Sequence, residues 1–338
     1  MLTAAAGSTS KPSIVYFPSD LRNPMIQEYD FIVEHQIARN TEVSVSYMGS
    51  LGKFLPDAVD TNLPAPTTIN YAVTGGPFNG QTETAPFFKG TRPYSAFSQM
   101  TMISTSAFSH YNALVAEFNR RLTTGLQFQT AYTFARSTDD GQGTSATLSG
   151  NSPLDADNIP LDLGPSNFDV RHRFTGAIVW EPPYFARAAG PVRWLLSGWT
   201  IAPVITWQTG QPYTATSSGN PPSGSGNAAS GITGSQGSSR VPFLERNSQR
   251  YPSIFITDLR IARSFPIGER VKLQLTGEAF NLANHFNATS VTTLMYTLGG
   301  TAAAPTLTYN SNFGQITGAD NNNVYTPRQI QIGARFSF

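Results

Sequence analysis

The chain has 338 residues, a net charge of +1, no cysteine, and 13% charged residues beside 12% aromatics. That composition excludes disulfides, thiolate metal sites and thiol nucleophiles, and leaves no basic footprint for nucleic acid. The charged share is about half that of an ordinary soluble domain, while 29 glycines and 24 prolines suit many strands joined by loops.

The first ten residues, Met1 to Ser10, show no basic start and only a short apolar run, so they carry no convincing export signal. An exported protein without one is expected to be incomplete at its N-terminus. From there on the dominant period is two rather than 3.6. Runs of about ten residues alternate apolar and polar side chains near 27–37, 41–51, 110–122, 125–136, 170–181, 197–208, 253–265, 271–281 and 329–338. In the second, Val43, Val45, Tyr47 and Leu51 alternate with Glu42, Ser44 and Ser46. The eighth is the clearest: Val271, Leu273, Leu275, Gly277 and Ala279 share one face, and Lys272, Gln274, Thr276 and Glu278 the other. In the ninth, Ile330, Ile332, Ala334, Phe336 and Phe338 alternate with Gln329, Gln331, Arg335 and Ser337. Tilted strands of about 9–11 residues span a hydrocarbon layer, and apolar-out, polar-in alternation marks a barrel wall. No stretch is long and apolar enough for a spanning helix; the best, 194–207, is interrupted by Ser197, Gly198 and Pro203.

The connections alternate in length. Short turns lie at 38–40, 123–125 and 266–269, and long loops at 52–109, 137–169, 209–252 and 284–327. Short periplasmic turns and long outer loops are the pattern of outer-membrane barrels. The 182–196 connection, with Pro182, Pro183 and Pro191, is intermediate and non-strand. Placing the C-terminus in the periplasm makes residues 1–26 an outer loop. The β-like stretch 97–108 then becomes an extension within the next one. Nine wall strands remain. An odd antiparallel set cannot close on itself, and open edges are costly in lipid, so strands are expected to be missing before the first. Residues 217–240 are a Gly/Ser-rich segment expected at the tip of a flexible outer loop.

The fold class is therefore all-β: an antiparallel transmembrane β-barrel in part, about nine wall strands, with no plug domain, in the bacterial outer membrane. The last residues read Gln331-Ile332-Gly333-Ala334-Arg335-Phe336-Ser337-Phe338. Gln331, Gly333, Phe336 and Phe338 fit an assembly signal, with a small residue for close approach and aromatics for the interface belt. That makes the barrel assembly machinery an expected partner, besides outer-membrane lipid. Tyr29, Phe31, Trp180, Trp199 and Trp207 fit interfacial girdles. Lys272, Gln274, Glu278 and Arg335, with Gln331, are expected to face the lumen.

Candidate chemistry is thin. Asp139, Asp140, Asp155, Asp157, Asp162 and Asp169 lack the ordered spacing of a calcium loop and read as solvated carboxylates. Arg171, His172 and Arg173 suit either lumen charges pairing with loop acids or charges at the membrane rim. His35, His110, His172 and His285 are scattered, and Glu117 and Glu278 sit on separate strands. No catalytic motif or phosphate cradle is present, so neither enzymatic activity nor a cofactor is expected.

Several segments together resemble the C-terminal part of Oar-like TonB-dependent receptors, the type with a carboxypeptidase-regulatory-like domain. They are Asn23 to Tyr29, Tyr47 to Gly52, Tyr111 to Leu114, Ala131 to Asp140, Phe168 to Phe174, Ser197 to Trp199, Glu278 to His285, Phe313 to Thr317 and Pro327 to Gln331. The resemblance covers nearly the whole chain from about residue 12 and is most specific at 278–285 and the last strand. It implies a TonB-gated, plugged barrel of roughly twenty or more strands, with energised uptake of a ligand too large for porins or, in some members, export and surface roles. A TonB-complex partner follows only with the plug, which no segment here matches. The ligand has no decodable motif. A small complete pore or structural barrel, closed alone or by oligomerisation, and a secreted β-adhesin are the competing readings. An even strand count favours the first and solubility without detergent the second.

Overall fold

The computed structural model describes residues 11–88, 90–141, 153–155, 157–185, 187, 189–219, 221, 240–267, 270–319 and 325–338. Nine strands form one continuous antiparallel wall: β1 (Met25–Ala38), β2 (Thr41–Asp60), β3 (Met100–Thr123), β4 (Leu126–Asp139), β5 (His172–Trp180), β6 (Trp199–Gln208), β7 (Ile254–Ile267), β8 (Val271–Phe280) and β9 (Gln329–Ser337). Each pairs with its sequence neighbours, so the wall is a simple meander. Every expected wall strand is present. β1 and β9 are the two edges and run in the same direction.

The pairing registers set the two faces, because residues directly opposite share a side of the sheet. Leu273 lies opposite Phe265 and Phe336, and Leu275 opposite Arg263 and Ala334. The same face continues through Trp199, Ile201, Ile205 and Trp207 to Trp180, Phe174, Phe128 and Tyr132, then to Val45, Tyr47, Phe31 and Val33. The opposite face is polar and carries Lys272, Gln274, Glu278, Arg260, Gln129, Glu117 and Ser44.

Aromatics form two bands on the apolar face, as barrel girdles do. Trp207, Phe174, Tyr132 and Phe255 line one end, with Trp180, Trp199 and Phe265 at the other. Near the first band, the Tyr29 and Tyr47 hydroxyls both donate to Asn112 Oδ1, at 2.9 and 2.8 Å. The Tyr29 ring lies over Gly49, where a Cβ would meet it at 2.3 Å. The Tyr132 hydroxyl meets His172 Nδ1 at 2.7 Å.

At one end the strands join tightly. Ala38 pairs with Thr41 across two residues, the second of which, Asn40, has φ 64°. The β3–β4 link is Thr124-Gly125, with φ 49° and 76°, the left-handed pair of a type I′ hairpin. The third connection carries a short helix α1 (Gly190–Leu196), with Pro at its first turn and no buried residue. Pro182, Pro183 and Pro191 account for its departure from strand.

The other end differs from expectation. The 52–109 loop is shorter than its sequence suggests, because β2 runs on to Asp60 and β3 begins at Met100. From Met100 on, the stretch 97–108 is continuous with β3 rather than separate from it. Leu55 to Asp60 pair with Thr101 to Ala107 across two bulges, either side of Leu55, the first holding Phe54 at φ 57°. Those bulges and Pro56 break the alternation and hide the extension in the sequence. Ile14–Tyr16 adds a parallel strand beside Met100–Met102.

The loops are also not merely polar connections. Thr216–Ser218, Leu294–Thr301, Ala304–Tyr309, Thr67–Thr74 and Thr82–Phe87 form a five-stranded sheet contributed by three loops. Its hydrophobic core includes Tyr71, Val73, Val241, Tyr296, Leu298 and Leu307. The principal cluster of fully buried apolar side chains therefore lies in this cap rather than in the wall. Most of the expected flexible segment 217–240 lies outside the described residues.

Candidate functional site

The expected lumen residues come together on one face. Lys272 lies opposite Ser337, Gln274 opposite Arg335, and Glu278 opposite Gln331. Arg260, opposite Glu278 on the other side, completes an ion pair with Nε 3.5 Å from Glu278 Oε1. Both side chains are substantially exposed, so the pair orients more than it stabilises. Further along this face, Ser44 Oγ donates to Glu117 Oε2 at 3.2 Å. Glu117, Asn119, Gln129, Ala131, Thr175 and Val204 border a shallow depression of about 340 Å³. Glu117 and Glu278 lie on β3 and β8 with four strands between them, so they are no carboxylate pair.

The C-terminal residues form β9, whose every residue is exposed. Phe336 stands on the apolar face and Gly333 on the polar face opposite Thr276. A Cβ at Gly333 would meet no atom within 4 Å, so close approach within this chain is not what places a glycine there.

The loop carboxylates are corrected most. Asp139, Asp140, Asp155, Asp162 and Asp169 are buried rather than solvated. Arg246 pairs with Asp139 and also donates from Nε to the Asp162 carbonyl at 2.8 Å. Arg240 approaches Asp162 at 3.6 Å. Asp169 takes Arg250 and, at 3.4 Å, Arg171, while its Oδ1 accepts from Ser137 N at 2.7 Å. Arg171 thus follows the loop-acid alternative of the two sequence readings. Arg92 holds Asp60 at 2.9 Å, and the buried Asn62 donates to the Tyr94 and Phe97 carbonyls. Arginines from the 240–250 segment thus tie the cap down onto β4 and the loop after it. Their distance in sequence from their partners left no local signal.

Desolvation sets the titration of the remaining acids. Burial pushes Asp57 up to about 7, with Asp140 and Asp162 adding to the rise. Burial likewise raises Asp140 and Asp162, against the opposing pull of Arg246 and, for Asp162, of Arg240. Asp57 Oδ2 has no hydrogen-bond partner among the described residues, while its Oδ1 accepts from Ala58 N at 2.8 Å. Among the described residues no three His, Cys, Asp or Glu side chains are grouped to hold a metal ion.

Two faces, two aromatic bands and alternating short and long connections are the architecture of a wall in lipid. The family model for an outer membrane beta barrel domain matches residues 2–242 and 234–331. The chain belongs to that family. It is an outer-membrane barrel protein, and its apolar face contacts outer-membrane lipid. No curated protein matches the sequence. Among solved structures, the outer membrane transporter YddB from Escherichia coli is similar at 10% identity with a TM-score of 0.50, over 98% of this chain and 35% of that one. The ferripyoverdine receptor of the outer membrane of Pseudomonas aeruginosa is similar at 12% identity with a TM-score of 0.45, over 93% of this chain and 27% of that one. The barrel chain thus spans about a third of the length of the first of these, and the likeness concerns the fold alone.

Proposed function

We propose that the chain is the C-terminal part of the wall of a TonB-dependent outer-membrane transporter, with its loop cap making first contact with the ligand. The observation that carries this is the open wall. β1 and β9 each have a single neighbour in the sheet and run the same way, so all-antiparallel closure needs an odd number of further strands. Unpaired backbone edges in lipid cost several kcal/mol per group, and a transporter-sized barrel supplies those strands. The segments that resemble Oar-like receptors support the same reading, and the alternation of short turns with long loops gives the direction: tight turns in the periplasm, cap outside. In this arrangement Lys272, Gln274, Glu278, Gln331 and Arg335 face the water-filled lumen, a plug or the passing ligand. A plug elsewhere in the protein would supply the contact with the TonB complex. The C-terminal strand, with Phe336 and Phe338, would be what the assembly machinery engages.

The test is to produce this chain by itself in detergent or lipid. The expected result is no compact, heat-modifiable form on gels and no steady conductance in planar bilayers. A folded species with stable pores would instead make it a small complete barrel.

A further inference from the structure

Helix α1 is unusual among the elements at the turn end. Val192, Trp194, Leu195 and Leu196 are 41–66% exposed, with Arg193 beside them. A short soluble helix seldom displays such a run without a partner. Its position is fixed by Arg263 of β7, whose guanidinium carbon lies 5.3 Å from the Trp194 ring centre, 5.1 Å from Trp199 and 4.4 Å from Phe265. Trp199 Nε1 donates to the Leu195 carbonyl at 3.1 Å, which holds the helix against the start of β6. Arg263 lies opposite Trp199 and Leu275, so it belongs to the lipid-facing side and not to the polar face. The helix therefore hangs on the outside of the wall, level with the Trp180, Trp199 and Phe265 band.

Arg263 is also a cation in the wrong place for a lipid-facing wall. It is 8% exposed, its Nε has no hydrogen-bond partner and, among the described residues, no ion pair includes it. The three rings attract the charge through their faces but leave the buried Nε–H unanswered. A cation near the rim of the hydrocarbon layer reaches toward the headgroups. The surface around it is continuous with the lipid-contacting wall, and Arg193 and Arg187 add positive charge at the same end.

We propose that Gly190–Leu196 is an interfacial helix embedded in the periplasmic leaflet, and that Arg263, assisted by Arg193, binds the phosphate of an anionic phospholipid headgroup against it. Val192, Trp194, Leu195 and Leu196 enter the acyl boundary as an interfacial helix does. The helix lies in the inner leaflet because the tight-turn end faces the periplasm, so the proposal rests on the sidedness proposed above.

The assembled barrel, purified from outer membranes and reconstituted into phosphatidylcholine vesicles with a minority of phosphatidylglycerol, provides the test. The chain lacks cysteine, so a fluorophore is placed on Leu195→Cys at the helix or on Ile205→Cys on the wall. Either lipid is brominated near the headgroup. The Ile205→Cys label should be quenched equally by both lipids. The Leu195→Cys label should be quenched about fivefold more effectively by brominated phosphatidylglycerol, the preference expected of one basic residue near an anionic surface. Arg263→Gln should bring that ratio to parity and Arg263→Lys should keep it. A Leu195→Cys label quenched by aqueous iodide and by neither lipid, beside a normally quenched Ile205→Cys label, overturns the helix placement alone. Equal quenching by both lipids at Leu195→Cys overturns the headgroup site. An Ile205→Cys label untouched by either lipid removes the wall from the membrane, and the proposal with it.

Discussion

At the β3–β4 turn two consecutive residues hold left-handed backbone, and only the second is suited to it. Gly125 has φ 76°, and a Cβ there would fall 2.0 Å from the Glu181 carbonyl oxygen. Gly125→Ala should lower stability by well over ~1 kcal/mol, since the obstacle is backbone and cannot rotate away. Thr124, β-branched at φ 49°, is strained by comparison, and Thr124→Asn should stabilise by about 1 kcal/mol. Denaturant midpoints of the assembled barrel decide both, and an unchanged midpoint for Gly125→Ala would show that the turn relaxes. Asp57 makes a pH prediction. Buried in the extension beyond the wall, it holds its proton up to about 7, against an ordinary value of 3.8. Below about 4 both the folded and the unfolded forms are protonated. As pH rises from there toward about 7, the unfolded chain sheds the proton and the folded extension does not. The extension's stability should therefore fall across that window and level off above it. Asp57→Asn should make the slope shallower, leaving the part that the raised Asp140 and Asp162 contribute, and raise stability at neutral pH. Thermal unfolding of the two proteins at several pH values in the window is the check, and identical slopes would refute the assignment.

Among the elements, the wall strands were legible and the cap was not, for different physical reasons. The wall obeys a period of two because one face meets lipid and the other water. Val271 to Phe280 therefore betrays both its type and its facing without any partner being known. The cap strands are short, Thr216–Ser218 being three residues. Two of the cap pairings are parallel and join distant loops, so nothing local marks them. The buried Asp and Arg pairs are equally silent, because a carboxylate looks the same in sequence whether it is solvated or matched. Their burial makes a strong prediction. Arg246→Leu strands Asp139 without its partner, and removing one member of a buried pair costs about 3–5 kcal/mol. The wall should survive while the cap loosens, seen as new protease cleavage within 240–253 on intact cells. A resistant cap would mean that the Asp139 pair contributes little. At the other end of the chain, replacing Phe336 by Ser and deleting Phe338 should reduce outer-membrane assembly severalfold. Fractionation of cells would show the protein held in the periplasm, and normal yields would argue against a signal in β9.

For the whole molecule the governing fact is that, among the described residues, the wall has two free edges. Such edges are templates for pairing with other strands. Kept in detergent without further wall, the chain should form oligomers whose mass grows with concentration. Light scattering should show values above the 36.5 kDa of a single chain. A single species at that mass would mean that the nine strands find their own closure. The girdles, polar face and turn chemistry are consistent across the wall, while its edges alone are unresolved within the sheet. That contrast is what directs attention to strands outside it.

The cap brings a timing constraint. Thr306 to Thr308 pair with Ala72 to Thr74, so the 284–327 loop completes a sheet begun by the 52–109 loop. Neither half has its partner until the intervening strands have entered the membrane and the final loop has crossed it. The cap is therefore a receipt for translocation. A conformational antibody raised against it would recognise finished barrels at the cell surface and pass over every stalled intermediate.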